Sequence, residues 1–159
     1  MKKIIFVTLA FIIFLSSIAH ASDATLFDMR NKIFAGSKKI KGLLGTSKDR
    51  ILLNSLWDSC RMAMSRIDAY YQMIRIFNTI KKEDMTEDAI NTLISWLNEI
   101  KSINELNIKT LDGVSQTIEP RTKIHVETLK VNFVELKDAI DAELKKVLIL
   151  RTTLELKKK

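Results

Sequence analysis

The sequence predicts an all-α protein: an up-down antiparallel helical bundle of one shorter and three long helices, following a cleaved signal peptide. Three observations point there. Apolar residues recur at spacings of three and four along most of the chain, the pattern of a helix with one buried face. Only four glycines and one proline interrupt 159 residues, which leaves room for long helices. The breaks between the apolar stripes are a few residues long, too short to carry the chain back along a helix of about 50 Å. Consecutive helices must therefore be antiparallel neighbours. With 47% hydrophobic and 28% charged residues, the composition is that of one folded domain rather than a disordered segment.

Residues 1–21 read as the export signal. Lys2 and Lys3 precede an apolar run from Ile4 to Leu15, and Ala19-His20-Ala21 has the small-x-small form that a signal peptidase cleaves. The run falls short of the roughly 20 apolar residues of a spanning helix. Cleavage is expected after Ala21, leaving residues 22–159 as a single domain that is periplasmic or secreted. Ser22 is not a cysteine, so lipid attachment there is not expected. Without Lys2 and Lys3 the remaining chain carries 24 basic and 19 acidic residues, a net charge of +5. Export also argues against nucleic acid as a partner.

The first helix is expected from about Asp23 toward Leu44, with Leu26, Ile33 and Ile40 seven apart and Phe27 and Phe34 beside them. Gly36 and Ser37 weaken its middle, so a break near Ala35 is expected, since glycine costs about 1 kcal/mol inside a helix. Gly42, Gly45, Thr46 and Ser47 end it, and Thr46, Ser47 or Asp49 can cap the next helix. That second helix, from about Lys48 to Lys82, has the stripe Leu53, Leu56, Cys60, Ala63, Ile67, Tyr70, Ile74 and Phe77. Asp84 or Thr86 caps a third, striped by Ile90, Leu93, Leu97, Ile100, Leu111, Val114 and Ile118. Asn104 and Asn107 interrupt this stripe. Either they are buried and hydrogen-bonded, or the helix rotates to expose them and bring Ile103 and Ile108 inward. Pro120 closes the third helix and opens the fourth, striped by Val126, Leu129, Phe133, Leu136, Ile140, Leu144, Val147 and Leu154. Lys157 to Lys159 suit its C-terminal end.

Motifs that carry chemistry are scarce. A lone cysteine excludes an internal disulfide. Cys60, Met62 and Met64 are soft-metal donors by type, but residues two apart on a helix point in nearly opposite directions, so Met62 cannot join the others on one ion; Cys60 and Met64, four apart, could share a face, and are expected to fill the core with Trp57. His125 and Met29 fall at opposite ends of an up-down bundle and cannot both ligate one haem. Gly42 to Lys48 resembles a phosphate loop in composition alone, since its lysine follows the hydroxyl residues and no strand precedes it. No nucleophile or zinc-protease motif is present, and neither an enzymatic activity, a metal nor a cofactor is expected.

Charge is the remaining signal. Residues 30–50 hold Arg30, Lys32, Lys38, Lys39, Lys41, Lys48 and Arg50 against Asp49, seven minus one, or +6. Residues 81–119 hold four basic and eight acidic residues, or −4. The expected function is non-enzymatic: binding of a protein partner or an anionic envelope surface, with Lys38, Lys39 and Lys41 as the candidate contacts. The alternative is a ligand- or metal-binding bundle that uses the core around Trp57, Cys60, Met64 and Tyr70. The stripes also permit a homo-oligomer.

Overall fold

The computed structural model of the chain describes residues 26–79 and 87–157, apart from the side chains of residues 78 and 154–157. The expected signal peptide and its cleavage after Ala21, the cap at Asp84 or Thr86, Leu154, Lys158 and Lys159 lie outside the described residues. Among those described are four helices and no strands: α1 (26–43), α2 (Arg50–Thr79), α3 (Glu87–Thr117) and α4 (Pro120–Lys157).

Side-chain pairs define the arrangement. Arg30 of α1 pairs with Asp68 of α2, Arg66 of α2 with Glu99 of α3, Lys101 of α3 with Asp141 of α4, and Lys32 of α1 with Glu135 of α4. Each helix thus touches the one before and the one after it, and α1 and α4 close the ring. The partner number falls as the first number rises from Phe27–Tyr71 to Lys41–Trp57 between α1 and α2, from Lys32–Glu135 to Gly36–Leu129 between α1 and α4, and from Lys101–Asp141 to Asp112–Lys130 between α3 and α4. The bundle is antiparallel throughout, and α2 and α4 lie on one diagonal.

The four stripes bury one another within a single chain. Leu53, Leu56, Cys60, Ala63, Ile67 and Tyr70 of α2 face Ile90 to Ile118 of α3 and Val126 to Val147 of α4, with Leu26, Ile33 and Ile40 of α1 completing the core. Burial of this apolar surface, rather than helix propensity, holds helices of this length in place.

One expectation needs correction. The helix does not break near Ala35: α1 is continuous through Gly36 and Ser37 to residue 43. Gly36 is buried against α4, where a Cβ would lie 3.0 Å from Leu129 Cδ1. It serves close approach of two helices rather than a turn. Of the two readings open for α3, the structure takes the first: the helix does not rotate. Asn104 and Asn107 stay on the buried stripe at 1% and 7% exposure, while Ile103 and Ile108 are half-buried. Asn104 Nδ2 donates to the Phe133 carbonyl at 2.9 Å, tying α3 to α4.

Candidate anionic-surface interface

The two connectors between α1 and α2 and between α3 and α4 meet at one end of the bundle. Glu119, which precedes Pro120, donates its backbone N–H to Asp49 Oδ2 at 3.0 Å, and Ser47 Oγ donates to Glu119 Oε2 at 3.5 Å. Asp49 and Glu119 are also the cap residues of their helices: the Leu53 N–H donates to the Asp49 carbonyl and the Lys123 N–H to that of Glu119. Ser47 Oγ accepts from the Asp49 N–H, so the hydroxyl expected to cap α2 acts one residue ahead of the helix. Thr46 turns back to the Leu43 carbonyl. A cleft of about 500 Å³ lies between the connectors, lined by Leu43, Ser47, Glu119, Arg121 and Thr122 among others.

This tie gathers charge that the sequence keeps apart. Lys38, Lys39 and Lys41 occupy the last turns of α1, Lys48 and Arg50 flank the start of α2, and Arg121 and Lys123 stand in the first turn of α4. All are exposed, and none is paired with a carboxylate among the described residues. Residues 38–51 and 117–124 together hold these seven cations against Asp49 and Glu119, seven minus two, or +5.

The three lysines singled out from the sequence are placed differently from one another. Lys38 Nζ lies 4.4 Å from the Phe34 ring centroid and Lys41 Nζ 4.9 Å from that of Trp57. Arg61 approaches the same indole at 5.1 Å. Lys38 and Lys41 therefore border the α1–α2 side, held by cation–π attraction. Lys39 is one residue on from Lys38, about 100° around the helix, and points elsewhere. A flexible glycine-interrupted segment is not what presents them; a helix is. Their position also has a local cause, because the C-terminus of a helix carries partial negative charge that favours cations.

Arg50, Arg121 and Lys123 have no such cause. The first turns of α2 and α4 contain no acidic residue, although a helix N-terminus favours one. The N-terminus of α3, away from this end, does carry Glu87 and Asp88. At the connector end the acids are confined to the cap residues Asp49 and Glu119, and cations occupy the first-turn positions that follow them.

The alternative core site has a different character. Cys60, Met64 and Tyr70 are buried, but Trp57 is only half-buried, beneath Lys41 and Arg61. Burial in apolar surroundings pushes the Cys60 thiol up to about 12, which keeps it protonated and poorly reactive. Among the described residues, no three of His, Cys, Asp and Glu gather around a common point. Met62 is exposed and His125 half-buried.

Sequence reasoning missed one polar pair in the core. The Tyr70 hydroxyl donates to Glu143 Oε1 at 2.9 Å along the α2–α4 diagonal, both residues being almost wholly buried. Lys146 Nζ lies 3.4 Å from Oε2 without hydrogen-bond geometry. Glu143 falls on the buried side of α4 one residue before Leu144, the only sequence hint of its burial.

The chain matches no family model, no curated protein and no solved structure.

Proposed function

We propose that this protein is an exported, non-enzymatic helical bundle that binds an anionic envelope surface through its connector end. One observation carries the reading: seven exposed cations without carboxylate partners among the described residues converge there from α1, α2, α4 and the α1–α2 connector, three of them in first turns where the helix dipole disfavours cations. Arrangement against local stability is the mark of a site kept for another purpose. Elsewhere eight of the described lysines and arginines pair with acids, so the connector end is where uncompensated positive charge is densest among the described residues. Export rests on the signal-like residues 1–21. No described helix is long and apolar enough to cross a membrane.

The test uses the chain from Ser22 onward, which contains every described helix. It should co-sediment with vesicles containing phosphatidylglycerol and leave phosphatidylcholine vesicles alone. Each lysine near an anionic surface contributes about 1 kcal/mol. Replacing Lys38, Lys39 and Lys41 together by Gln should therefore weaken binding on the order of a hundredfold. Equal sedimentation of wild type and triple variant would contradict the reading.

A further inference from the structure

We infer that the connector end docks end-on against an anionic lipid bilayer, with Ile51 and Ile124 entering the headgroup region beside the cations. This rests on the proposed anionic-surface function and adds the chemistry of the surface and the orientation on it.

Ile51 is 90% exposed, more than any other large apolar residue described, and Ile124 is 66% exposed. Both belong to the connector end. Ile51 is the second residue of α2 and Ile124 the fifth of α4, and both helices start there. Side chains on a helix tilt toward its N-terminus, so both isoleucines lean toward the connectors.

The local sequences match. Lys48-Asp49-Arg50-Ile51 and Arg121-Thr122-Lys123-Ile124 each place an isoleucine after two cations separated by one residue. The two segments are far apart in sequence and stand on diagonal corners of the bundle end. Lys38, Lys39 and Lys41 occupy the α1 corner between them.

An acidic protein would be served by the cations alone and would leave two isoleucines in water. A bilayer uses both, since basic residues meet phosphate headgroups while apolar side chains enter the boundary with the acyl chains. Interfacial residues penetrate about 5–10 Å. Ile124 lies about one turn, or 5 Å, from the helix start, and so falls within that depth. A broad, deformable surface also suits two apolar groups on opposite corners better than one compact pocket does.

The experiment measures binding of the chain from Ser22 to phosphatidylglycerol-containing vesicles, with soluble polyglutamate as a second polyanion. The variants are Ile51→Ser with Ile124→Ser, Leu106→Ser, and the Lys38, Lys39 and Lys41 triple Gln variant. Leu106 is 63% exposed on the flank of α3 and controls for loss of any exposed apolar residue. All the serine substitutions are on the surface, and unchanged helical circular dichroism verifies folding. The double isoleucine variant should bind vesicles at least about tenfold more weakly and polyglutamate unchanged, while Leu106→Ser matches wild type. If the double variant binds vesicles like wild type while the lysine variant fails, end-on insertion is overturned and the electrostatic reading stands. Wild-type binding to polyglutamate but not to vesicles overturns the lipid assignment in favour of an acidic protein. Binding to neither overturns both proposals.

Discussion

The waist of the bundle and its connector end use the same basic side chains to opposite effect. Around the waist, every helix interface has an ion pair: Arg30–Asp68, Arg66–Glu99, Lys101–Asp141, Lys130–Asp112, Lys137–Glu105 and Lys32–Glu135. Arg30 is bidentate, at 2.8 and 2.9 Å. Hydrogen bonds to the facing carboxylates raise the pKa values of Arg30, Lys101 and Lys130. At the connector end seven cations face two acids already engaged in tying the connectors together. From residue 22 on, the chain carries 24 basic and 19 acidic residues; removing the seven and two of the connector end leaves 17 of each. The connector-end residues alone carry an excess equal to that of the chain from residue 22 on. What distinguishes a binding surface from a solvated face here is the missing carboxylates, not the number of lysines.

The largest expected effect belongs to the waist. Ile67 is fully buried, and Ile67→Ala should cost about 2–5 kcal/mol in a denaturant melt. Neighbouring Arg66 makes a partly exposed ion pair with Glu99, so Arg66→Ala should cost about 1 kcal/mol or less. Equal losses would mean that the waist is held by charge rather than by apolar packing.

Next comes the diagonal pair. Tyr70→Phe removes a donor to the buried Glu143 carboxyl and should lower stability by about 1.5–3 kcal/mol with the fold intact. Calorimetry on the two proteins measures it. A change within a few tenths of a kcal/mol would show that this bond has no structural weight.

The smallest effect is the most diagnostic of the contrast. Arg121→Glu puts an acid into the first turn of α4, where the helix dipole favours it, and should stabilise the fold by about 0.3–1 kcal/mol. The same substitution should weaken binding to anionic vesicles. A chain that becomes both more stable and a poorer binder would show stability traded for the surface. Lower stability in this variant would mean that Arg121 has a structural role.

Much of the fold was legible because helix burial is periodic. The predicted residues of α2 through Tyr70, of α3 and of α4 through Val147 are buried, and Pro120 stands where one helix ends and the next begins. Gly36 was misleading, because propensity gives its cost in an isolated helix but not the proximity of Leu129 from another helix. Asn104 and Asn107 could be read either way. Only the position of the Phe133 carbonyl decides it for Asn104, and Asn104 Oδ1 and Asn107 Nδ2 remain without hydrogen-bond partners among the described residues. The candidate surface was half legible. Lys38, Lys39 and Lys41 form a visible run, but Arg121 and Lys123 are tied to them through the bonds that Glu119 donates to Asp49 and accepts from Ser47. No local pattern forecasts that contact.

The central claim is that unpaired charge at the connector end brings this protein to an anionic surface. The most direct measurement is its affinity for phosphatidylglycerol-containing vesicles as a function of salt. Between about 0.01 M and about 1 M salt the screening length contracts from about 30 Å to about 3 Å. Affinity should fall steeply across this range, and the triple Gln variant of Lys38, Lys39 and Lys41 should show a shallower fall. Affinity that is the same at both salt limits, or the same slope in wild type and variant, would contradict it.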